Sequence, residues 1–182
     1  MSELFFNFVL LLLILIVFGS MMVASFRTAP WVPSRKKDLR RLIELAEIKK
    51  GEVVYELGSG DGRIVLELAR RYEAKIIGYE ISVIPYLISQ IRLWLVNTFF
   101  VHRMKGEAKI LYRDFFTADF SQADVLVFFL TPYGLKRLEK KFRLEMKRGS
   151  RIISYIFPLR IFSPKSISKP TKTSNPIYCY HF

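Results

Sequence analysis

Acidic residues, cysteine and histidine are what this chain has least of. Among 182 residues, 16 Asp and Glu stand against 29 Lys and Arg, a formal charge of +13. An excess of that size suits anionic neighbours: a lipid surface, a nucleic acid or an acidic protein. The single cysteine, Cys179, excludes an internal disulfide. With only His102 and His181 beside it, there is no Cys/His set to ligate a metal, and no metal site is expected. From Leu4 to Phe26 charge is missing altogether, and Glu3 is the only charged side chain before Arg27. A secretory leader would open with basic residues and carry only about 7–15 apolar ones. This run does neither, and about 20 apolar residues suffice for a helix to cross a bilayer core. The expectation is an uncleaved transmembrane helix over residues 1–27, the alternative being a buried core helix.

The segment after the run is basic: Arg27, Arg35, Lys36, Lys37, Arg40 and Arg41. Such a cluster puts the C-terminal side in the cytoplasm and can hold anionic headgroups. A lipid bilayer contacted through Leu4–Phe26 is the expected partner, and it is favoured over nucleic acid because the apolar run is present. The lack of an Arg-rich amphipathic presequence favours a prokaryotic plasma membrane over the mitochondrial inner membrane. Residues 28–50 read as a linker, Pro-rich and aromatic from Thr28 to Pro33, and a helix over Lys37 to Glu47. Leu39, Leu42, Ile43 and Ala46 form the stripe of that helix, and Ser34 or Asp38 is its expected cap. Residues 51–182 remain for one α/β domain.

That domain is organised around Val53-Val54-Tyr55-Glu56-Leu57-Gly58-Ser59-Gly60-Asp61-Gly62-Arg63. The first five residues suit a buried strand, and Ile64, Val65, Leu68, Ala69 and Tyr72 then recur at helical spacing. Between them Gly58, Gly60 and Gly62 let backbone approach a ligand without a Cβ in the way. The dinucleotide fingerprint Gly-x-Gly-x-x-Gly needs a glycine where this chain has Arg63, which disfavours an NAD-type oxidoreductase. A second strand, Lys75-Ile76-Ile77-Gly78-Tyr79-Glu80, ends in a carboxylate 20 residues beyond Gly60. That is where a ribose-binding acid sits in such sheets; an exposed loop glutamate is the alternative.

With Pro30-Trp31-Val32-Pro33-Ser34 upstream, the stretch Tyr55-Glu56-Leu57-Gly58-Ser59-Gly60-Asp61-Gly62-Arg63-Ile64-Val65 resembles the small membrane-anchored class I methyltransferases. That family includes mitochondrial protein-lysine methyltransferases acting on the c-ring protein of ATP synthase and on the ADP/ATP carrier, with prokaryotic relatives. The resemblance spans residues 1–160 and is densest over the glycine motif. It implies an α/β, Rossmann-like sheet, mostly parallel with helices on both faces, and S-adenosylmethionine (SAM) as cofactor. It also implies a protein substrate, a lysine on a membrane protein. On this resemblance Gly58, Ser59, Gly60, Asp61 and Gly62 line the methionyl part, and Glu56 braces the turn and meets the ligand's ammonium. Glu80 holds the ribose; Asp114 accepts from the adenine amino group with Phe115 beside the ring. The Pro-Trp-Val-Pro-Ser stretch would fold over the cofactor, whereas its chemistry alone makes Trp31 an interfacial anchor.

The remaining segments fill in a sheet. Ser82 to Val101 is a helix, capped by Ser82 and apolar almost all round, which either covers the sheet or rests Trp94, Phe99 and Phe100 on a bilayer. Lys109 to Phe116 gives a strand ending at Asp114. Ala123 to Leu130 reads as a central strand buried on both faces, and Thr131, Pro132 and Tyr133 follow at its ligand-binding end. Class I amine methyltransferases have residues around the accepting nitrogen there, some with Pro-Pro-Tyr or Pro-Pro-Phe, so these three are the candidate catalytic residues. This chain has one proline at that point. An amphipathic helix over Leu135 to Met146, a strand over Arg151 to Phe157, a loose Ser163–Pro176 stretch and a last strand from Ile177 complete the domain. The two closing strands are expected to run antiparallel. A non-catalytic tethered basic module, binding nucleic acid or anionic lipid, is the alternative to an enzyme.

Overall fold

The computed structural model describes residues 2–27 and 36–182. Helix α1 (Ser2–Arg27) takes in the uncharged run, and its described apolar side chains from Leu4 to Leu15 are exposed. Its side chains at 2, 13, 16–18 and 20–27 lie outside the described residues, as do the Pro-Trp-Val-Pro-Ser linker and the expected Ser34 cap. Among the described residues no helix is long and apolar enough to cross a membrane.

Helix α2 (Lys36–Ala46) buries the expected Leu42, Ile43 and Ala46. Asp38, in its first turn, accepts from the Tyr155 hydroxyl at 2.6 Å and from Arg41 at 2.7 Å. Arg41 also donates to the carbonyls of Ser168 and Asn175, at 3.1 and 2.8 Å. Its place in the sequence assigns Arg41 to a headgroup-binding cluster; its guanidinium is instead engaged inside the fold, because acceptors of Asp38, Ser168 and Asn175 surround it.

The rest alternates: β1 (Val53–Leu57), α3 (Arg63–Arg71), β2 (Lys75–Glu80), α4 (Val83–Phe99), β3 (Glu107–Tyr112), β4 (Val125–Phe128), α5 (Pro132–Glu145), β5 (Arg151–Tyr155), β6 (Ser166–Ser168) and β7 (Ile177–His181). The sheet order is β3-β2-β1-β4-β5-β7-β6. Strands β1 to β5 are parallel. Strand β7 is antiparallel to both β5 and β6. The two closing strands run antiparallel to each other, and β7 alone reverses against the rest of the sheet: residues 156–165 lead to β6 at the edge and β7 returns between it and β5. The three-residue β6 lies within the stretch expected to be loose.

The sheet is covered on both faces. In β4, Val125 and Val127 belong to one buried cluster with Leu42, Val65 and Ile76. Leu126 and Phe128 belong to the other, with Leu135, Leu138 and Phe142 of α5. Alternation along a wholly apolar strand therefore feeds two cores, as a parallel central strand requires. Helix α5 starts three residues before the expected Leu135, since proline is well suited to a first helical position. Ser82 holds the N-cap position of α4, but its side chain makes no cap bond. Its N–H instead donates to Glu80 Oε1 at 2.7 Å. Pro85, Ser89 and Leu93 form the buried face of α4.

Candidate active site

Because β1 to β4 are parallel, their C-terminal ends share one edge. Register puts Leu57 beside both Tyr79 and Phe128, and Glu80 beside Tyr112. The glycine turn, Asp114 and Thr131 therefore all follow strand ends on that edge, where Glu80 is the last residue of β2.

The turn is built by backbone. Gly58, Gly60 and Gly62 have φ of 78°, 56° and 75°, a region that L side chains rarely adopt. The N–H groups of Gly58 and Ser59 both donate to the Tyr79 carbonyl at 2.9 Å, and Gly62 N–H donates to Ser59 O at 2.9 Å. Gly78, which the motif does not include, makes this close approach possible. A Cβ there would come within 2.8 Å of Ser59 Cβ, Ser59 Oγ and Val65 Cγ2. The signal for it is a glycine in the middle of a strand. Ser59 lies under the turn rather than along it. Its hydroxyl is buried and, among the described residues, is the one buried side-chain polar atom with no hydrogen-bond partner.

Three carboxylates attend the turn, and a fourth, Asp114, follows β3 on the same edge. Glu80 is 7% exposed; its Oε2 accepts from Gly60 N–H at 2.8 Å and its Oε1 from Ile81 and Ser82 N–H at 2.9 and 2.7 Å. Oε1 already takes two donors, so Oε2 is the oxygen with a lone pair for a ligand hydroxyl. Glu56 accepts from Val65 N–H at 3.1 Å and so braces the start of α3. Burial holds its carboxyl well above the usual range, with Asp61 and Glu80 adding to the effect. Asp61 shows the opposite case. Burial opposes its ionisation, but bonds from Arg63 and the charges of Arg63 and Arg92 outweigh it and keep the carboxyl below its ordinary value. Arg92 reaches Asp61 Oδ2 at 2.9 Å, which makes the lone charge of α4 a strut between that helix and the glycine turn. Asp114 Oδ1 accepts from Phe116 N–H at 2.9 Å and opens a short 3-10 turn.

The two rings after Asp114 sit at different depths. Phe115 is 5% exposed and sits in the cluster of Tyr79 and Leu130. Its neighbour Phe116 is half-buried, 4.8 Å from it, with Arg137 stacked 4.1 Å over the ring. On the far side of the edge Pro132 begins α5, and Tyr133 is 65% exposed. Leu130 joins the two halves: a Cβ on Gly58 would lie 3.9 Å from its Cδ2.

A family model described as the ANTKMT methyltransferase domain matches residues 56–166, from the glycine turn to β6. The chain belongs to this family. A protein-lysine N-methyltransferase of Saccharolobus islandicus (strain REY15A) is 35% identical over 141 residues, 77% of this chain and 84% of that protein. The adenine nucleotide translocase lysine N-methyltransferase of Mus musculus is 30% identical over 142 residues, 76% of this chain and 57% of that protein. The chain thus spans most of the first relative and little more than half the length of the second. Among solved structures, an RNA methyltransferase from Salinibacter ruber in complex with S-adenosylhomocysteine superposes with a TM-score of 0.72 at 27% identity. That match covers 82% of this chain and 93% of the other.

The methyltransferase is therefore SAM-dependent, and the residues of its edge fit that cofactor. Three left-handed glycines keep side chains off the turn. Glu80 Oε2 points at the same turn with acceptor capacity left. The NAD and non-catalytic alternatives are set aside on the same findings.

Proposed function

We propose that this methyltransferase modifies the amino group of a lysine on a membrane-associated protein, held at the cytoplasmic face of a prokaryotic plasma membrane by α1. The observation that carries the acceptor class is the 35% identity to a protein-lysine N-methyltransferase over 84% of that protein's length. The tether rests on the sequence: an uncharged run from Leu4 to Phe26 followed by Arg27, Arg35, Lys36 and Lys37.

SAM supplies a methyl group already activated on sulfonium, so the protein's task is positioning. The backbone of Gly58, Gly60 and Gly62 would lie along the methionyl part, and Glu80 Oε2 would take a ribose hydroxyl. Asp114 and Phe115 would hold the adenine. Glu56, whose carboxyl burial holds well above its usual range, keeps the start of α3 against the turn. Thr131, Pro132 and Tyr133 border the acceptor side, where a neutral amine attacks carbon, the new N–C bond forming as the S–C bond breaks. The amine's proton must leave beforehand, and Tyr133 is exposed at the place where water can carry it away.

A second reading, transfer to RNA, is favoured by the structural match to an RNA methyltransferase. The net charge of +13 is compatible with either acceptor near an anionic surface. The test is transfer of radiolabelled methyl from SAM to membranes, divided by protease or ribonuclease digestion. Label lost to protease and recovered as methyl-lysine supports the proposal; label lost to ribonuclease overturns it.

A further inference from the structure

Helix α4 is apolar on both sides, and one side packs on the sheet. Pro85, Ser89 and Leu93 pack onto the sheet. On the opposite side Leu87, Ile91, Trp94 and Leu95 recur at i, i+4, i+7 and i+8 and are 53%, 59%, 60% and 39% exposed. Phe99, the last residue of α4, and Phe100 beyond it continue the stripe, with Phe99 edge-on to Trp94 at 6.1 Å. Six large side chains in one stripe form the kind of patch that marks an interaction surface. Helix α1 meets α4, so two exposed apolar helices are neighbours.

Charge decides what the patch faces. From Ser82 to Gly106 the chain has Arg92, Arg103 and Lys105 and no acidic residue. Between α3 and the C-terminal end of α4 lies a cavity of about 330 Å³. Its floor is apolar, with Leu66, Val96 and Phe100, and its charged lining is Arg63, Arg70 and Arg103 against Glu67 alone. Arg63 is paired with Asp61 and Arg70 with Glu67, while Arg103 stacks 5.2 Å over Phe100. An apolar floor under a cationic rim matches a phospholipid, with phosphate outside and acyl carbons within.

We propose that the outer face of α4 lies flat on an anionic phospholipid bilayer, with lipid phosphates at the arginine rim of this cavity. The inference rests on the tethered reading above and adds a second contact, which fixes the orientation of the catalytic edge. Aromatic residues suit the interfacial level, and each basic residue near an anionic surface adds attraction. A domain fixed in this way sweeps a narrow range of heights above the bilayer, which favours acceptor lysines close to the membrane.

The chain contains two tryptophans, Trp31 and Trp94. Trp31→Phe in the full-length chain leaves Trp94 as the only indole. It would be reconstituted into vesicles of phosphatidylcholine, with and without phosphatidylglycerol, carrying acyl chains brominated at shallow positions. The expected result is a blue-shifted Trp94 emission, strongly quenched in the phosphatidylglycerol vesicles. Quenching should weaken in phosphatidylcholine, and in an Arg70→Gln/Arg103→Gln variant. Trp94→Phe in the otherwise native chain should lose the phosphatidylglycerol-dependent share of the quenching and keep that of Trp31 at the tether, which guards against a folding defect from the first substitution. Flotation of the same samples reports the tether separately. Vesicles that carry the protein while Trp94 stays water-like overturn the α4 contact and leave the tether standing; failure to float overturns both. Equal quenching in the two lipids overturns the anionic preference. A blue shift that instead tracks protein concentration without lipid overturns the proposal in favour of a second copy.

Discussion

The glycine turn after β1 and the helix start after β4 lie on one edge of one sheet, yet they are built differently. The turn is fixed on every side: two N–H groups on the Tyr79 carbonyl, Gly60 on Glu80, Val65 on Glu56 and two arginines on Asp61. The other half offers Pro132 at a helix start and a tyrosine 65% exposed. The difference reflects what each half meets. A cofactor is the same molecule at every turnover, so its seat can be preorganised by the chain itself. An acceptor side chain arrives attached to another macromolecule, and the surface that orients it is completed by that partner.

The sharpest way to break the comparison is to add one methyl group to the rigid half. In Gly62→Ala the new Cβ would lie 2.5 Å from Ile110 Cδ1 and 3.1 Å from Ser89 Cβ, at a φ of +75°. Left-handed strain and overlap together should cost roughly 2–5 kcal/mol, read as a lower urea midpoint, with SAM binding abolished. A stable variant with unchanged affinity would mean that the turn is not the seat. Next in size is Glu80→Ala. It removes a charged acceptor from three N–H groups and from the ligand, and SAM affinity measured calorimetrically should fall about 10- to 100-fold. Substituting Thr131, on the open half, should leave that affinity within about twofold.

The same contrast explains what could be read in advance. Val53 to Arg63 announces strand, turn and helix because its local chemistry admits little else, and the acid 20 residues beyond Gly60 does sit on the turn. Gly78 and Arg92 were not legible as parts of the site. Their roles depend on β2 lying beside β1 and on α4 crossing the turn, distances that no short window of sequence contains. Ser59 and Phe115 stand in the right segments, but their side chains face the interior, which a motif does not specify. Arg41 looks like surface charge until β6 and the 169–176 loop bring carbonyls to it. The single reversed strand was hidden because β6, at three residues, carries almost no periodicity.

Glu56 allows a subtler test of the rigid half. Its folded-state carboxyl titrates well above its reference value of 4.5, burial being the main cause. Between those two values the unfolded chain has lost the proton and the native chain has kept it, so native binds more protons and stability falls as pH rises. Glu56→Gln removes this contribution. Urea midpoints from about pH 5 to pH 8 should therefore decline less with pH in the variant than in the native chain. Asp61 and Asp124, whose carboxyls are held below their reference value of 3.8, are ionised in native and unfolded chain alike over this range and add no slope. An identical pH dependence would show that Glu56 is ionised in the native protein and is an ionic rather than a neutral brace.

The smallest expected effect belongs to the open half, and it is the most informative about the acceptor. Tyr133→Phe deletes one hydroxyl from an exposed ring on the first turn of α5. A hydrogen bond of ordinary strength there corresponds to about a 2- to 12-fold loss in kcat. The loss should come without change in SAM affinity, because the carboxylates that hold the glycine turn, Glu80 and Glu56, bond to backbone N–H groups and not to that ring. A shift in SAM affinity would move Tyr133 into the cofactor half and dissolve the division drawn above. No effect on either quantity would make it a solvated turn residue, leaving Thr131 and the chain upstream of α2 to shape the channel. If the loss falls instead on KM for a protein acceptor and vanishes with free lysine analogues, Tyr133 reads the partner's surface and not the amine itself. A preformed cofactor seat beside an acceptor site completed by its substrate leads one to expect that last pattern.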